Sequence, residues 1–225
     1  TTLGIIGFGL GVWIGGIFTY KNFNKIAAKG YPFSLIPTGP NKDLFLTSLK
    51  KFGALYDQVI LMGYPPFIKD IIDEAPAYGI DLKKYSLRIF MAAEEFSEEF
   101  RSYIALRAGI KNPIRDIINL YGTVELGTMA HETPFSVLIR RIAHERPDVR
   151  DALFPRKHIL PTLAQYHPYL TYFESHGDEV IGSGYASIPL IRYSFPDTGG
   201  VIPFDTMIKT LLRCGINISK EAKRH

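Results

Sequence analysis

The stretch Gln58-Val59-Ile60-Leu61-Met62 indicates the fold class, because it is a short apolar run bounded by turn signals. A run of this length suits a buried strand and is too short for a helix. A helix is predicted next over Pro65–Tyr78, with proline at its start and Gly79 ending it. Ser86–Ala93 then returns to a strand pattern. A strand–helix–strand unit of this length is typical of parallel strands joined by a crossover helix.

The same alternation continues through the first half of the chain. Further strands are predicted at Leu3–Phe8, Pro32–Pro37 and Asp116–Leu120, and further helices at Val12–Lys29, Asn41–Leu55 and Ser97–Ala108. We therefore expect an α/β fold with a mostly parallel sheet and helices on both faces. Residues 1–134 are expected to form this α/β subdomain.

The pattern changes after Glu125. A basic helix interrupted at Pro147 is predicted within a helical connection over residues 135–161. Short β patterns separated by glycine turns follow. Residues 162–225 are therefore expected to form a small antiparallel β subdomain with helices at its end.

Composition excludes some classes of protein. The chain has 225 residues, of which 46% are hydrophobic and 21% charged, as in ordinary globular proteins. The net charge of +4 is spread along the chain, which suits an anionic small molecule but is equally explained by solubility. Because no basic stripe is visible, a nucleic-acid partner is not expected.

The lone cysteine and the uncharged first twenty residues bear on the compartment. Cys214 cannot form an intrachain disulfide or a cysteine zinc site, which favours a reducing, cytoplasmic location. Thr1–Tyr20 is rich in glycine and has no basic leader. We interpret it as strand, turn and helix rather than a membrane span or signal peptide, and expect no membrane partner.

Some side chains carry expectations that concern packing alone. Cys214 is expected to be a buried thiol on an amphipathic helix, and Glu98 a solvated acid at a helix start. Leu44 is expected on the buried face of its helix, and Trp13 in the core or in a pocket. His131 is expected in a loop near solvent.

Three short segments follow predicted strands, at the positions where parallel sheets bind ligands. They are Gly63-Tyr64, Ala92-Ala93-Glu94 and Tyr121-Gly122. Because the carboxyl ends of parallel strands meet at one edge of a sheet, these segments are expected to converge.

Two motifs point to a family. Tyr121-Gly122-x-x-Glu125 has a downstream partner, Arg192-Tyr193-x-x-x-Asp197, and an aromatic–glycine segment, Gly7-Phe8-Gly9-Leu10, precedes both. In this order they resemble the nucleotide and acyl motifs of AMP-forming adenylating enzymes, most of all the phenylacetate–CoA ligase-like branch. Each motif is weak alone, and their order along the chain strengthens the resemblance.

The resemblance implies a nucleotide site. It places the backbone of Ala92, Ala93 and Glu94 along the adenine, Tyr121 and Gly122 beside it, Thr123 at the α-phosphate, Glu125 on Mg²⁺, Asp197 on the ribose and Arg192 near the nucleotide. These chemical types suit the roles, since a carboxylate can accept two hydrogen bonds from a diol and can hold magnesium against phosphate oxygens.

The resemblance also implies a reaction. Phe8, Gly9 and Tyr64 would line a pocket for the acyl group. The whole enzyme would activate a carboxylic acid with ATP and Mg²⁺ as an acyl-adenylate, release pyrophosphate, and transfer the acyl group to CoA or another acceptor. Positioning and electrostatic stabilisation would provide most of the catalysis.

The chain departs from the family pattern in several places. Val124 stands where a hydroxyl residue usually precedes the glutamate, and Glu95 stands where proline is usual. The phosphate-binding loop and the C-terminal lid with its catalytic lysine are absent from this sequence. We therefore expect an internal piece of a longer enzyme, inactive by itself.

Two alternatives remain open. One is a non-catalytic nucleotide-binding or interaction module derived from the same fold. The other is an unrelated α/β protein with chance motif matches, in which Tyr121, Glu125 and Asp197 would be scattered rather than bordering one hollow.

Overall fold

In a computed structural model of the chain, residues 1–155, 159–186 and 188–223 are described. They form an α/β fold with a seven-stranded, mostly parallel sheet flanked by helices and a separate three-stranded antiparallel sheet. The predicted fold class is confirmed.

The described elements alternate as expected in the first half and become β-rich later. The strands are β1 (Thr2–Ile6), β2 (Phe33–Pro37), β3 (Gln58–Gly63), β4 (Leu87–Ala92), β5 (Ile117–Thr123), β6 (Gly127–His131), β7 (Gln165–Tyr166), β8 (Thr171–His176), β9 (Glu179–Tyr185) and β10 (Pro189–Thr198). The helices are α1 (Gly15–Ala28), α2 (Lys42–Phe52), α3 (Pro65–Glu74), α4 (Glu98–Ala108), α5 (Pro113–Asp116), α6 (Pro134–Glu145), α7 (Pro147–Leu153), α8 (Phe204–Arg213) and α9 (Ile218–Ala222).

The large sheet has the order β2-β1-β3-β4-β5-β6-β7. Its β1–β2, β1–β3 and β3–β4 pairs are parallel, whereas β5–β6 and β6–β7 are antiparallel. The small sheet has the order β10-β9-β8, and both of its pairs are antiparallel.

The central strands are apolar because they are buried. Ile5, Ile6, Leu61 and Met62 have no measurable exposure, and Leu3 has almost none. Burying one such side chain stabilises the fold by about 1.5–3 kcal/mol. The uncharged start of the chain thus contains a central parallel strand, β1, followed by helix α1 from Gly15, as interpreted from its sequence.

The helix signals in the sequence correspond to caps. The Asn41 side chain accepts a hydrogen bond from the Leu44 amide at 2.9 Å, and Ser97 Oγ accepts one from the Phe100 amide at 3.2 Å. Gly79 and Gly109 end their helical segments in the left-handed conformation, with φ of 69° and 71°.

The helix predicted over Pro65–Tyr78 ends earlier than expected. Helix α3 stops at Glu74, and Ala75–Tyr78 continues as a tighter 3-10 turn. Pro76 explains the change, because its nitrogen cannot donate the hydrogen bond that an α-helix requires there.

Several packing predictions are wrong. Glu98 is only 3% exposed, since it pairs with the fully buried Arg101, whose Nε lies 3.0 Å from Glu98 Oε2. Leu44 is 48% exposed and Trp13 is 75% exposed. Cys214 follows the end of α8 and is half-buried rather than buried. In each case the neighbours in space, and not the local pattern, decide the burial.

The chain divides into two compact units, residues 1–118 and 119–225. The first contains the parallel strands and a large apolar core. The second contains most of the β5–β6 hairpin, helices α6 to α9 and the small sheet. It has a core of its own, formed by Leu126, Met129, Phe173, Val180 and Phe195.

Within the described parts of the chain, none of the helices is both long and apolar enough to cross a membrane.

Candidate functional site

In the first unit, two adjacent parallel strands position the predicted pocket residues. Phe8 and Gly9 follow β1, and Tyr64 follows the neighbouring strand β3. Phe8 is buried, and its ring lies edge-on to Phe90 at 6.5 Å. Tyr64 is half-buried against Phe67, with ring centroids 5.7 Å apart.

The close approach at the start of α1 explains a glycine in this region. The Gly9 carbonyl accepts a hydrogen bond from the Gly16 amide at 2.9 Å. A Cβ at Gly16 would lie 2.6 Å from the carbonyl oxygens of Phe8 and Gly9. The loop therefore folds back tightly over the end of β1, next to the predicted acyl pocket.

The predicted adenine segment follows β4 in the same unit. Ala92 is the last residue of β4 and packs against the small apolar cluster that contains Phe8. Ala93 has a φ of 79°, which is uncommon for a residue with a side chain. Such strained backbone clusters at functional sites. Both Ala93 and Glu94 are exposed.

In the second unit, the Tyr-Gly motif lies in a β-hairpin. Tyr121, Gly122 and Thr123 are the last residues of β5, which extends three residues beyond the predicted strand end at Leu120. Glu125 lies in the turn between β5 and β6. The motif therefore belongs to a paired ribbon rather than to a loop beyond a strand.

The glycine of the motif is required by close strand pairing. A Cβ at Gly122 would lie 2.4 Å from the Gly127 carbonyl oxygen and 3.2 Å from Thr128 Cα. Both obstacles are backbone atoms of β6, so they cannot rotate away. An irregularity in the β5–β6 pairing falls between Tyr121 and Gly122, and such bulges re-aim neighbouring side chains.

The two motifs of the second unit meet directly. The Tyr121 hydroxyl donates a hydrogen bond to Asp197 Oδ2 at 2.7 Å, although 76 residues separate them. Burial and the Asp197 carboxylate both raise the pKa of Tyr121 well above its usual value. The hydroxyl therefore stays protonated at neutral pH and acts as the donor.

Arg192 lies on the same strand as Asp197 but has other partners. Its φ is 53°, at a point where β10 is irregularly paired with β9. Its amide donates to Ser183 Oγ at 2.8 Å, and its Nε lies 3.3 Å from Glu174 Oε2. The side chain is largely exposed.

Thr123 shapes the turn that carries Glu125. Thr123 Oγ1 accepts a hydrogen bond from the Leu126 amide at 3.2 Å, closing the turn. Glu125 and Val124 are exposed at its tip, with Val124 70% exposed.

The turn that carries Glu125 suits a magnesium ion that is also bound by a phosphate ligand. Among residues 1–155, 159–186 and 188–223 there is no group of three or more His, Cys, Asp or Glu side chains that could hold a metal. Glu125 supplies one exposed carboxylate, which suits a magnesium ion that also binds phosphate oxygens and water. The residues do not fit an ion held by the protein alone.

The sequence reasoning missed Phe173, which supports the Tyr121 ring at 6.3 Å between centroids. Phe173 is buried in the middle of β8, between the exposed Tyr172 and the half-buried Glu174. The alternation along this strand is the signal that could have found it. The expectation for His131 is also wrong, because it lies half-buried in β6 with its ring 5.9 Å from that of His167.

No family model matches the chain, and no curated protein matches it in sequence. Solved structures do match. An open conformation of 2-hydroxyisobutyryl-CoA ligase in complex with 2-HIB-AMP and CoA is 11% identical and has a TM-score of 0.58, covering 85% of this chain and 41% of that one.

Two other states of the same ligase are similar to the same extent. The postadenylation state with 2-HIB-AMP has a TM-score of 0.57 at 11% identity, over 85% of this chain and 37% of the ligase. The thioesterification state with 2-HIB-AMP and CoA has a TM-score of 0.57 at 11% identity, over 86% and 37%. This chain thus spans about two fifths of the ligase's length, and it has the α/β fold of that part of the enzyme.

Proposed function

We propose that this chain is part of an AMP-forming, acyl-CoA ligase-like enzyme and carries much of its nucleotide site. The observation that carries the proposal is the 2.7 Å hydrogen bond between Tyr121 and Asp197. Two residues assigned by motif to the adenine and to the ribose are in contact, as one nucleoside site requires. The fold shared with 2-hydroxyisobutyryl-CoA ligase supports the same conclusion. The motif order favours the phenylacetate–CoA ligase-like branch.

The nucleoside would be bound by a flat face and an acid. Tyr121 offers an aromatic ring that Phe173 holds in place. Asp197 is exposed and accepts hydrogen bonds, as a ribose diol requires. The motif resemblance assigns the backbone of Ala92, Ala93 and Glu94 to the adenine, and Arg192 to the neighbourhood of the nucleotide.

The phosphates would lie towards the tip of the β5–β6 hairpin. Glu125 would hold Mg²⁺ together with phosphate oxygens, and the ion would neutralise charge as pyrophosphate leaves. Thr123 keeps a hydroxyl proton for an α-phosphate oxygen while its oxygen accepts from Leu126. Gly122 permits the close strand pairing on which the hairpin depends.

The acyl group would bind near Phe8, Gly9 and Tyr64, where the first unit presents aromatic and glycine residues after β1 and β3. A carboxylic acid, ATP and CoA are the partners that this function implies, and the cytoplasm is the compartment that it suits. Its chemistry would join the acid to AMP and then pass the acyl group to CoA or another acceptor. We also retain, as part of this proposal, the division of the chain expected from the sequence, into residues 1–134, 135–161 and 162–225.

A second function is favoured by one specific observation. Val124 replaces the usual hydroxyl residue and is exposed at the turn, while the oxygen of the neighbouring Thr123 already accepts a hydrogen bond. A chain with this turn could bind a nucleotide without activating an acid. This alternative is a non-catalytic nucleotide-binding or interaction module.

Calorimetric titration of residues 1–225 with AMP and with ATP tests nucleotide binding. We expect Asp197→Asn to weaken AMP binding about tenfold or more, because a hydrogen bond to a charged group contributes roughly 1.5–3 kcal/mol. Asp205→Asn is the matched control, since Asp205 is an exposed acid in α8 of the same unit. Equal affinities in Asp197→Asn and the wild type would contradict the proposal.

Carboxylate-dependent release of pyrophosphate separates the enzyme from the binding module. The measurement is made on the chain extended at both termini with its natural flanking sequence, with ATP, Mg²⁺ and a panel of aryl and aliphatic acids. Release that Glu125→Gln abolishes supports the enzyme. Nucleotide binding without release under all these conditions supports the module.

A further inference from the structure

Asp197 lies where β10 departs from regular pairing. Ser194 pairs with Ile181, and Thr198 pairs with Glu179. Between these two pairs the chain advances four residues along β10 but only two along β9. The extra residues form a bulge, and bulges re-aim the side chains that they contain. Residue alternation along β10 therefore does not set the direction of the Asp197 carboxylate.

The bulged segment is anchored next to the acid. Phe195 is nearly fully buried, and its ring meets that of Tyr193 edge-on at 5.5 Å. A Cβ at Gly182 on β9 would lie 2.6 Å from the Phe195 ring, so the two strands are in close contact there. The backbone of this segment is thus held by packing, whereas Asp197 itself is exposed.

The partner of Asp197 is held from a different element. The Tyr121 ring belongs to β5, is half-buried and lies against Phe173. Its hydroxyl stays protonated at neutral pH, as its raised pKa requires. It therefore presents a fixed donor to one oxygen of Asp197.

One hydrogen bond leaves most of the carboxylate available. An ionised carboxylate has two oxygens with about four acceptor positions. The bond from Tyr121 uses one position on Oδ2. The remaining positions suit the two hydroxyls of a cis-diol, and an acceptor that is already oriented loses less side-chain freedom on binding.

We infer that the Tyr121 hydroxyl is a positioning group that orients Asp197 for a ribose cis-diol and thereby sets the preference for ribonucleotides over 2′,3′-dideoxynucleotides. This role is distinct from contact between the Tyr121 ring and the base. It rests on the proposed nucleotide site, and its experiment separates the two claims.

The test compares AMP with 2′,3′-dideoxy-AMP by calorimetry on residues 1–225. In Tyr121→Phe the ring and its packing remain and the hydroxyl is lost. We expect the affinity for AMP to fall by about two- to tenfold, the range of one ordinary hydrogen bond, with the affinity for dideoxy-AMP unchanged. Tyr172→Phe is the control, because Tyr172 is an exposed tyrosine on β8 of the same unit.

Each other result overturns the inference in a recognisable way. Equal weakening of both ligands in Tyr121→Phe would assign the effect to packing of the ring. Unchanged or tighter AMP binding would mean that the hydroxyl does not help the diol. Loss of the preference in Asp197→Asn, but not in Tyr121→Phe, would leave the nucleotide site standing and remove the positioning role.

A measurement without ligand tests the positioning role of Tyr121 separately from the proposed nucleotide site. Side-chain scalar couplings in NMR spectra report whether Asp197 occupies one χ1 rotamer or several. We expect one rotamer in the wild type and averaging in Tyr121→Phe. Averaging in the wild type would overturn the inference even if AMP binds, and absence of AMP binding would overturn the proposed function and its ribose preference together.

Discussion

Replacing Gly122 by alanine should open the β5–β6 hairpin. The new Cβ would lie 2.4 Å from the Gly127 carbonyl oxygen, where ordinary contact begins at 3.4 Å. The nearest atoms all belong to backbone, so a strand must move to make room. Overpacking of this kind costs about 1–3 kcal/mol. We expect the upper part of that range, because no flexible side chain is available to absorb the shift.

Hydrogen exchange measured by mass spectrometry on peptides from residues 117–131 provides the assay. A loss of about 2 kcal/mol in local opening free energy accelerates exchange roughly 30-fold. Gly200→Ala is the matched control, since the nearest atoms to a Cβ there lie 3.9 Å away. It should leave stability unchanged or raise it by about 0.4–1 kcal/mol. Exchange in Gly122→Ala within twofold of the wild type would refute the steric argument.

Two further predictions concern buried and titrating groups. Arg101→Met should cost about 3–5 kcal/mol of unfolding free energy in urea, because it removes one partner of a buried ion pair and leaves the buried Glu98 without this guanidinium. The double variant with Glu98→Gln should recover a large part of that loss. His131→Gln should flatten the pH dependence of stability below pH 6.5. Burial and the nearby His167 lower the pKa of His131, so protonation opposes folding as pH falls below the unfolded-state value.

A different result would contradict each of these two predictions. A double variant no more stable than Arg101→Met would show that the Glu98 charge is not the cause. For His131, the wild type should be most stable above pH 6.5 and should lose stability as pH falls towards the depressed folded-state pKa. If the wild type and His131→Gln show identical pH profiles in thermal unfolding, His131 is excluded as the cause of the pH dependence of stability.

Local signals predicted the framework of the first unit well. A cap such as Asn41, or a left-handed glycine such as Gly79, acts on atoms within four residues, so the sequence nearby contains the information. Buried parallel strands are also visible, because both faces must be apolar. Exceptions occur where a distant segment decides the burial, as at Glu98. Its partner Arg101 is only three residues away, but the Arg101 guanidinium is itself buried and donates a hydrogen bond to the Ile117 carbonyl.

The residues of the candidate site could be predicted from the sequence, but their arrangement in space could not. Tyr121, Glu125 and Asp197 could be selected from motif order. The sequence could not show that Tyr121 lies in a hairpin, because β5 pairs with β6 through backbone atoms that any residue possesses. Nor could it show Phe173 behind the ring, since that contact joins two different sheets.

The sequence by itself determined the alternation of strands and helices, their caps and the chemical types available for a nucleotide, because these depend on neighbours along the chain. Tertiary structure alone decided that Tyr121 and Asp197 touch. That contact depends on a bulge in β10 and on the packing of a ring against β8, and both arise from strand register between segments far apart in sequence.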